Sequence, residues 1–155
     1  MTDPCAALGV AGADLEGAIA QLLESIGLPP LRHFTWVEPG AHLVGFRWAV
    51  LGFEGEGVAG VAVGLSPAAV AEVAEAMTGL GKEDQDDDLM QDVVGELANV
   101  LGGNLQPLLS GTTGLCLPSR AAPAELGLGP TLRCTESGEA APWLAVRLLP
   151  RAPAR

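Results

Sequence analysis

The sequence predicts an α+β fold, an antiparallel sheet packed against long helices, on three observations. Apolar residues recur at helical spacing in three segments. Short runs rich in Val, Phe and Trp are broken by glycine-bearing turns, as neighbouring strands are. The order is helix, two or three strands, two helices, then strands again, which favours an antiparallel sheet with its helices gathered together. With 155 residues, 48% of them apolar and 17% charged, the chain is expected to form one folded domain with a real core.

The first helix covers residues 13–27, "ADLEGAIAQLLESIG", where Leu15, Ile19, Leu22, Leu23 and Ile26 share a face and Gly27 followed by two prolines supplies the stop. The period then changes. "RHFTWVEP", "LVGFRWAVLGF" and "GVAGVAVGL" read as strands separated by "PGA" and "EGEG". A second helix opens in "SPAAVAEVAEAMTGLG", with Ser66 as N-cap, Pro67 at the first helical position and Val70, Val73, Ala74 and Met77 turned inward. The polar stretch "KEDQDDD" leads into a third helix over residues 88–109, its acidic start matched to the positive helix N-terminus. "GLCLP", "PTLRC" and "WLAVRLL" complete the chain as strands, giving a core over about residues 12–149 with loose tails at 1–10 and 150–155.

Charge and composition exclude several functions. Nineteen acidic against eight basic side chains give a formal charge of −11, which repels a phosphate backbone or an anionic membrane surface, so neither nucleic acid nor membrane is expected as a partner. No apolar run approaches the roughly 20 residues of a membrane span, and "MTDPCAALGV" lacks the basic start of a secretory signal, so a cytoplasmic location is expected. Cys5, Cys116 and Cys134 are odd in number and widely spaced, which indicates neither a disulfide framework nor a zinc site. Cys116 and Cys134 read as small buried strand residues.

Four apparent motifs have plain explanations. "GEGVAG" at residues 55–60 matches a dinucleotide-binding fingerprint, but a strand follows it where that chemistry needs a helix N-terminus. A hairpin turn with closely approaching backbones is the better reading. "DQDDD" lacks the spaced oxygen ligands of a calcium loop and reads as a solvated helix start. His33 and His42 belong to no metal-binding spacing, and Ser110 and Ser119 have no nucleophile-elbow context.

The third helix is different. Winding it at about 100° per residue sets Asp92, Glu96, Asn99 and Gly103 within a stripe roughly 60° wide, opposite Val93, Val94, Leu97, Leu101, Leu105 and Leu108. Gly95, Gly102 and Gly103 each cost a helix interior about 1 kcal/mol relative to alanine, so three of them call for a compensating reason. Spacing alone fits either a wet helix face with glycines packed on a neighbouring element, or a stripe cleared for another surface. Asn104 falls nearer the apolar flank and reads as a buried structural amide.

Asp92-x-x-x-Glu96-x-x-Asn99, in a helix continuing "VLGGN" and followed by a strand ending at Pro118, resembles the signature of the CheC/CheX/FliY family of chemotaxis phosphatases. The element order is similar over roughly residues 12–149. Two-site members carry a second Glu-x-x-Asn helix; here Glu16 is followed at that spacing by Ile19 and Glu72 by Glu75, so the single motif resembles CheX. The segment from Asn99 to Pro118 is shorter than the family's usual one, with Pro123 as the alternative match.

The resemblance implies a phosphatase acting on the aspartyl phosphate of a CheY-like response regulator, and a homodimer joined through its sheets. No cofactor of the chain's own is implied, since the regulator supplies its magnesium and an active-site lysine. Asn99 would hold the attacking water as an uncharged amide, and Glu96 would pair with the lysine. Asp92 would either touch the partner at the edge of the site or simply favour the early helix. Gly95, Gly102 and Gly103 would let the partner approach the helix backbone. The second expectation is a non-catalytic module of the same fold that binds a regulator or a flagellar or signalling partner.

Overall fold

The computed structural model describes residues 11–28, 31, 33–37, 43, 45–56, 58–109, 111–117, 119–121, 131–135 and 143–149. The tails expected to be loose, together with Cys5, His42, Ser110, Pro118 and Pro123, lie outside the described residues. Helix α1 spans Gly12–Ser25, followed by strands β1 (His33–Val37), β2 (Arg47–Gly55) and β3 (Gly60–Leu65). Helices α2 (Pro67–Thr78) and α3 (Asp87–Leu105) come next, with a short 3-10 turn before α3 and another directly after it. Strands β4 (Thr112–Leu115), β5 (Ser119–Ala121), β6 (Thr131–Thr135) and β7 (Leu144–Leu149) complete the order.

The strands form one antiparallel sheet in the order β1-β6-β7-β3-β2, with β4 and β5 sharing the far edge of β2. β4 pairs with the end of β2 through Phe53 and Leu115, whereas β5 pairs with its beginning through Val50 and Ser119. The chain therefore breaks step between the two, at Cys116 and Leu117. The expected α+β class is what forms, and "GEGVAG" is the hairpin between β2 and β3 rather than a nucleotide loop.

Alternation along the strands sends Ala49, Leu51, Phe53, Val61, Val63, Leu65, Leu132, Cys134, Leu144 and Val146 to one face. There they join Leu15, Ile19, Leu22 and Leu23 of α1 and Val93, Val94, Leu97 and Leu101 of α3 in one core cluster. α3 lies on β2 and β3 and touches both other helices, which makes it the most constrained helix of the fold. On the other sheet face Trp48 lies flat against the backbone of Gly64, where a side-chain methyl would come within 2.8 Å of its ring. Ala62 and Ala145 join Trp48 in a second, smaller cluster.

The local signals read from the sequence act as expected at α2. Ser66 Oγ accepts from the Ala69 N–H at 3.2 Å, Pro67 opens the helix, and Gly79 closes it in the left-handed conformation at φ 75°. Two expectations fail. Leu108 is 43% exposed rather than buried, because the α-helix gives way to a 3-10 turn at Gln106–Leu108, where Pro107 removes a backbone donor and the residue spacing tightens. Cys116 is exposed, because it falls just past β4 on the sheet's outermost edge; Cys134, in the interior strand β6, is buried as expected.

Candidate functional site

The site is built on the first four turns of α3. Asp86 caps the helix, its carboxylate accepting from the Leu89 N–H at 2.8 Å, and Asp87 and Asp88 follow in the first turn, where negative charge suits the helix dipole. Arg47 at the start of β2 reaches Asp87 at 2.8 Å and donates to the Gln91 carboxamide oxygen at 3.4 Å. Gln91 in turn donates to the carbonyl of Trp48 at 3.1 Å. Both ends of this amide are thus engaged, and the pair ties the beginning of α3 to β2.

Beyond that tie the polar row stands free. Asp92, Glu96, Asn99 and Gly103 are all exposed, while Val93, Val94, Leu97, Ala98, Leu101 and Leu105 are buried beneath them. Among the described residues none forms a hydrogen bond or ion pair with Asp92, Glu96 or Asn99. Two carboxylates and an amide on a rigid, anchored helix are therefore left with their polar atoms uncommitted.

They also share a cavity. An open groove of about 530 Å³ runs beside α3, with Asp92, Gly95, Glu96 and Asn99 along it. Its other lining comes from the sheet edge, where Leu117 sits at the break between β4 and β5 and Ser119 opens β5, and from Ala49 and Gln91 at the tie just described. Sequence reasoning missed these last four residues. None of the four carried a signal in the helical pattern: even Gln91, which lies on α3, winds about 100° from Asp92 and so falls outside the stripe.

The three glycines do not share a role. Gly95 lines the groove, and Gly103 is exposed with nothing within 4 Å of where a side chain would start. Gly102 is buried on the sheet side, where an added methyl would overlap Leu51 Cδ2 and sit 3.6 Å from Phe53. This corrects the expectation for Gly102: its missing side chain clears the chain's own β2, not an approaching partner. Asn104 is half-buried.

The electrostatics of the surface are lopsided. Asp86, Asp87, Asp88, Asp92 and Glu96 crowd the N-terminal half of α3, whereas residues 97–119 contain no charged side chain at all. Among the described residues, no group of three or more His, Cys, Asp or Glu is placed to hold a metal ion. No helix of the described residues is long and apolar enough to cross a membrane.

No curated protein matches the sequence. By structure, the chain is similar to a protein in a CheX–CheY–BeF3–Mg2+ complex from Borrelia burgdorferi, with a TM-score of 0.63 at 14% identity over 88% of this chain and 95% of that one. It is also similar to CheX from Desulfovibrio desulfuricans, with a TM-score of 0.54 at 17% identity over 88% and 97% of the two chains. The FliM middle domain of H. pylori shares the fold more distantly, at a TM-score of 0.53 and 10% identity over 91% and 94%. At these identities the likenesses establish the fold. The family follows from the sequence itself: the model of chemotaxis phosphatase CheX matches residues 47–134, more than half the chain and all of the groove's lining, and the chain belongs to the CheX family.

Proposed function

We propose that the protein hydrolyses the aspartyl phosphate of a CheY-like response regulator by inserting Asn99 and Glu96 into the regulator's active site. One observation carries this reading. Asp92, Glu96 and Asn99 are exposed, uncommitted and aligned along one groove, on a helix pinned to the sheet by Arg47 and Gln91.

An aspartyl phosphate is already an activated acyl phosphate, so the chemistry asks for positioning more than for acid–base power. Water attacks phosphorus as the bond to the aspartyl oxygen breaks; the electron pair stays with the regulator's carboxylate and inorganic phosphate departs. The Asn99 carboxamide oxygen accepts from that water and its NH2 donates to a phosphoryl oxygen, with no negative charge to repel the anion. Glu96, one turn earlier, pairs with the regulator's lysine and sets the register of the two proteins.

In this reading Asp92 lies at the edge of the contact, and Gly95 and Gly103 leave room for the partner. The regulator brings its own Mg2+, in keeping with the Borrelia complex that contains CheY, BeF3 and Mg2+. The acting species is a cytoplasmic homodimer, for which β1 at the end of the sheet offers an edge.

The test follows aspartyl-phosphate decay on a purified CheY-like regulator as protein is added. Wild type should accelerate decay, and Glu96→Ala and Asn99→Ala should each remove about 100-fold or more of that acceleration. Phosphorylation-dependent binding without turnover would assign the chain to the binding-module reading instead.

A further inference from the structure

The groove beside α3 has two chemically unlike sides. Along the helix it carries Asp92 and Glu96, backed by the aspartates of the first turn; at the sheet edge it carries Leu117, near the end of the charge-free stretch 97–119. Leu117 is 88% exposed, twice as open as any other large apolar side chain among the described residues. A single exposed leucine on a protein surface needs no explanation. This one lines the same groove as the uncommitted Glu96 and Asn99.

Its position is also held from both sides. The Cys116 N–H donates to the Gly52 carbonyl at 2.9 Å, and three residues on, Ser119 pairs with Val50 of the same strand. Leu117 thus sits at the step between β4 and β5, with its backbone fixed to β2 before and after it. A leucine held this way can bury its side chain against an incoming surface with little further loss of backbone freedom.

We infer that Leu117 is the apolar anchor on which the response regulator docks, a role that rests on the phosphatase reading above. The partner then meets the groove in one orientation. Its lysine and neighbouring basic groups face Glu96 and the acidic half of α3, and an apolar patch beside its phosphorylated aspartate covers Leu117. Charge sets which way round the regulator sits, and the leucine supplies non-directional contact area.

The test is the concentration dependence of the phosphatase reaction. Initial rates of aspartyl-phosphate loss are measured against increasing CheY-like regulator, phosphorylated with acetyl phosphate and freed of excess, for wild type, Leu117→Ser and Leu117→Met. Losing a leucine that becomes fully buried in the complex should raise KM about ten-fold with kcat within about two-fold. Leu117→Met should return KM to near the wild-type value. Thermal melts of all three should coincide, since the side chain is exposed in the free protein. A Leu117→Ser KM within about two-fold of wild type, or a loss confined to kcat, overturns the anchor alone. Absence of any acceleration by wild type overturns the phosphatase reading, and the anchor with it.

Discussion

Replacing Gly103 with alanine should stabilise the protein, while the same change at its neighbour Gly102 should destabilise it. Alanine is favoured over glycine inside a helix by about 1 kcal/mol, and both positions lie within α3. At Gly103 nothing stands within 4 Å of the new methyl, so the full gain should appear, raising Tm by about 3 °C for a chain of this size. At Gly102 the methyl overlaps Leu51 Cδ2, and Leu51 is completely buried, so it has no open side to move toward. Overpacking of this kind costs about 2–3 kcal/mol, which outweighs the helical gain and should lower Tm by about 3–6 °C. Circular dichroism melts of the two variants beside wild type decide the matter. Equal stabilisation by both would refute the packing of Gly102 on β2, and destabilisation by Gly103→Ala would refute the openness of the face that carries Asn99. The same pair has a functional side: Gly103→Ala, though more stable, should raise KM for the regulator if the partner passes over that backbone.

Two further outcomes test other parts of the structure. Asp86→Ala removes the cap of α3 and should cost about 1 kcal/mol, read as a lower denaturant midpoint with an unchanged slope. In a Cys5→Ser background, Cys116 should react with a thiol reagent at once and Cys134 only on unfolding. Burial disfavours the charged form of the Cys134 thiol and pushes its pKa up, so raising the pH to about 9 should not bring it into reaction while the fold is intact.

Much of this architecture was legible because local chemistry and long-range packing agree. Ser66, Pro67 and Gly79 bound α2 by rules that need only a few neighbouring residues. The row from Asp92 to Asn99 follows from helical winding alone, and so does its separation from Val93, Val94, Leu97 and Leu101. What was not legible depends on partners distant in the chain. Gly102 lies at about 80° from Asp92 by the same winding, a flank position. Only the docking of α3 on β2 turns that flank toward Leu51. Leu108 kept helical phase on paper, but Pro107 closes a 3-10 turn and swings it outward. β5 is three residues long and pairs with a strand about 70 positions earlier, so no local pattern announces it. Leu117 belongs to the same class: an ordinary leucine in sequence, it becomes a groove residue only because β4 and β5 share one edge of β2.

The most direct measurement is single-turnover decay of the regulator's aspartyl phosphate at saturating protein, wild type against Asn99→Ala, together with the affinity of each for the phosphorylated regulator. If Asn99 positions the attacking water, the substitution should return decay to near the regulator's own rate, a loss of about 100-fold or more, while affinity stays within about three-fold. Decay by Asn99→Ala within a few-fold of wild type would contradict the inserted-amide mechanism, and a loss of affinity matching the loss of rate would make Asn99 a docking residue instead.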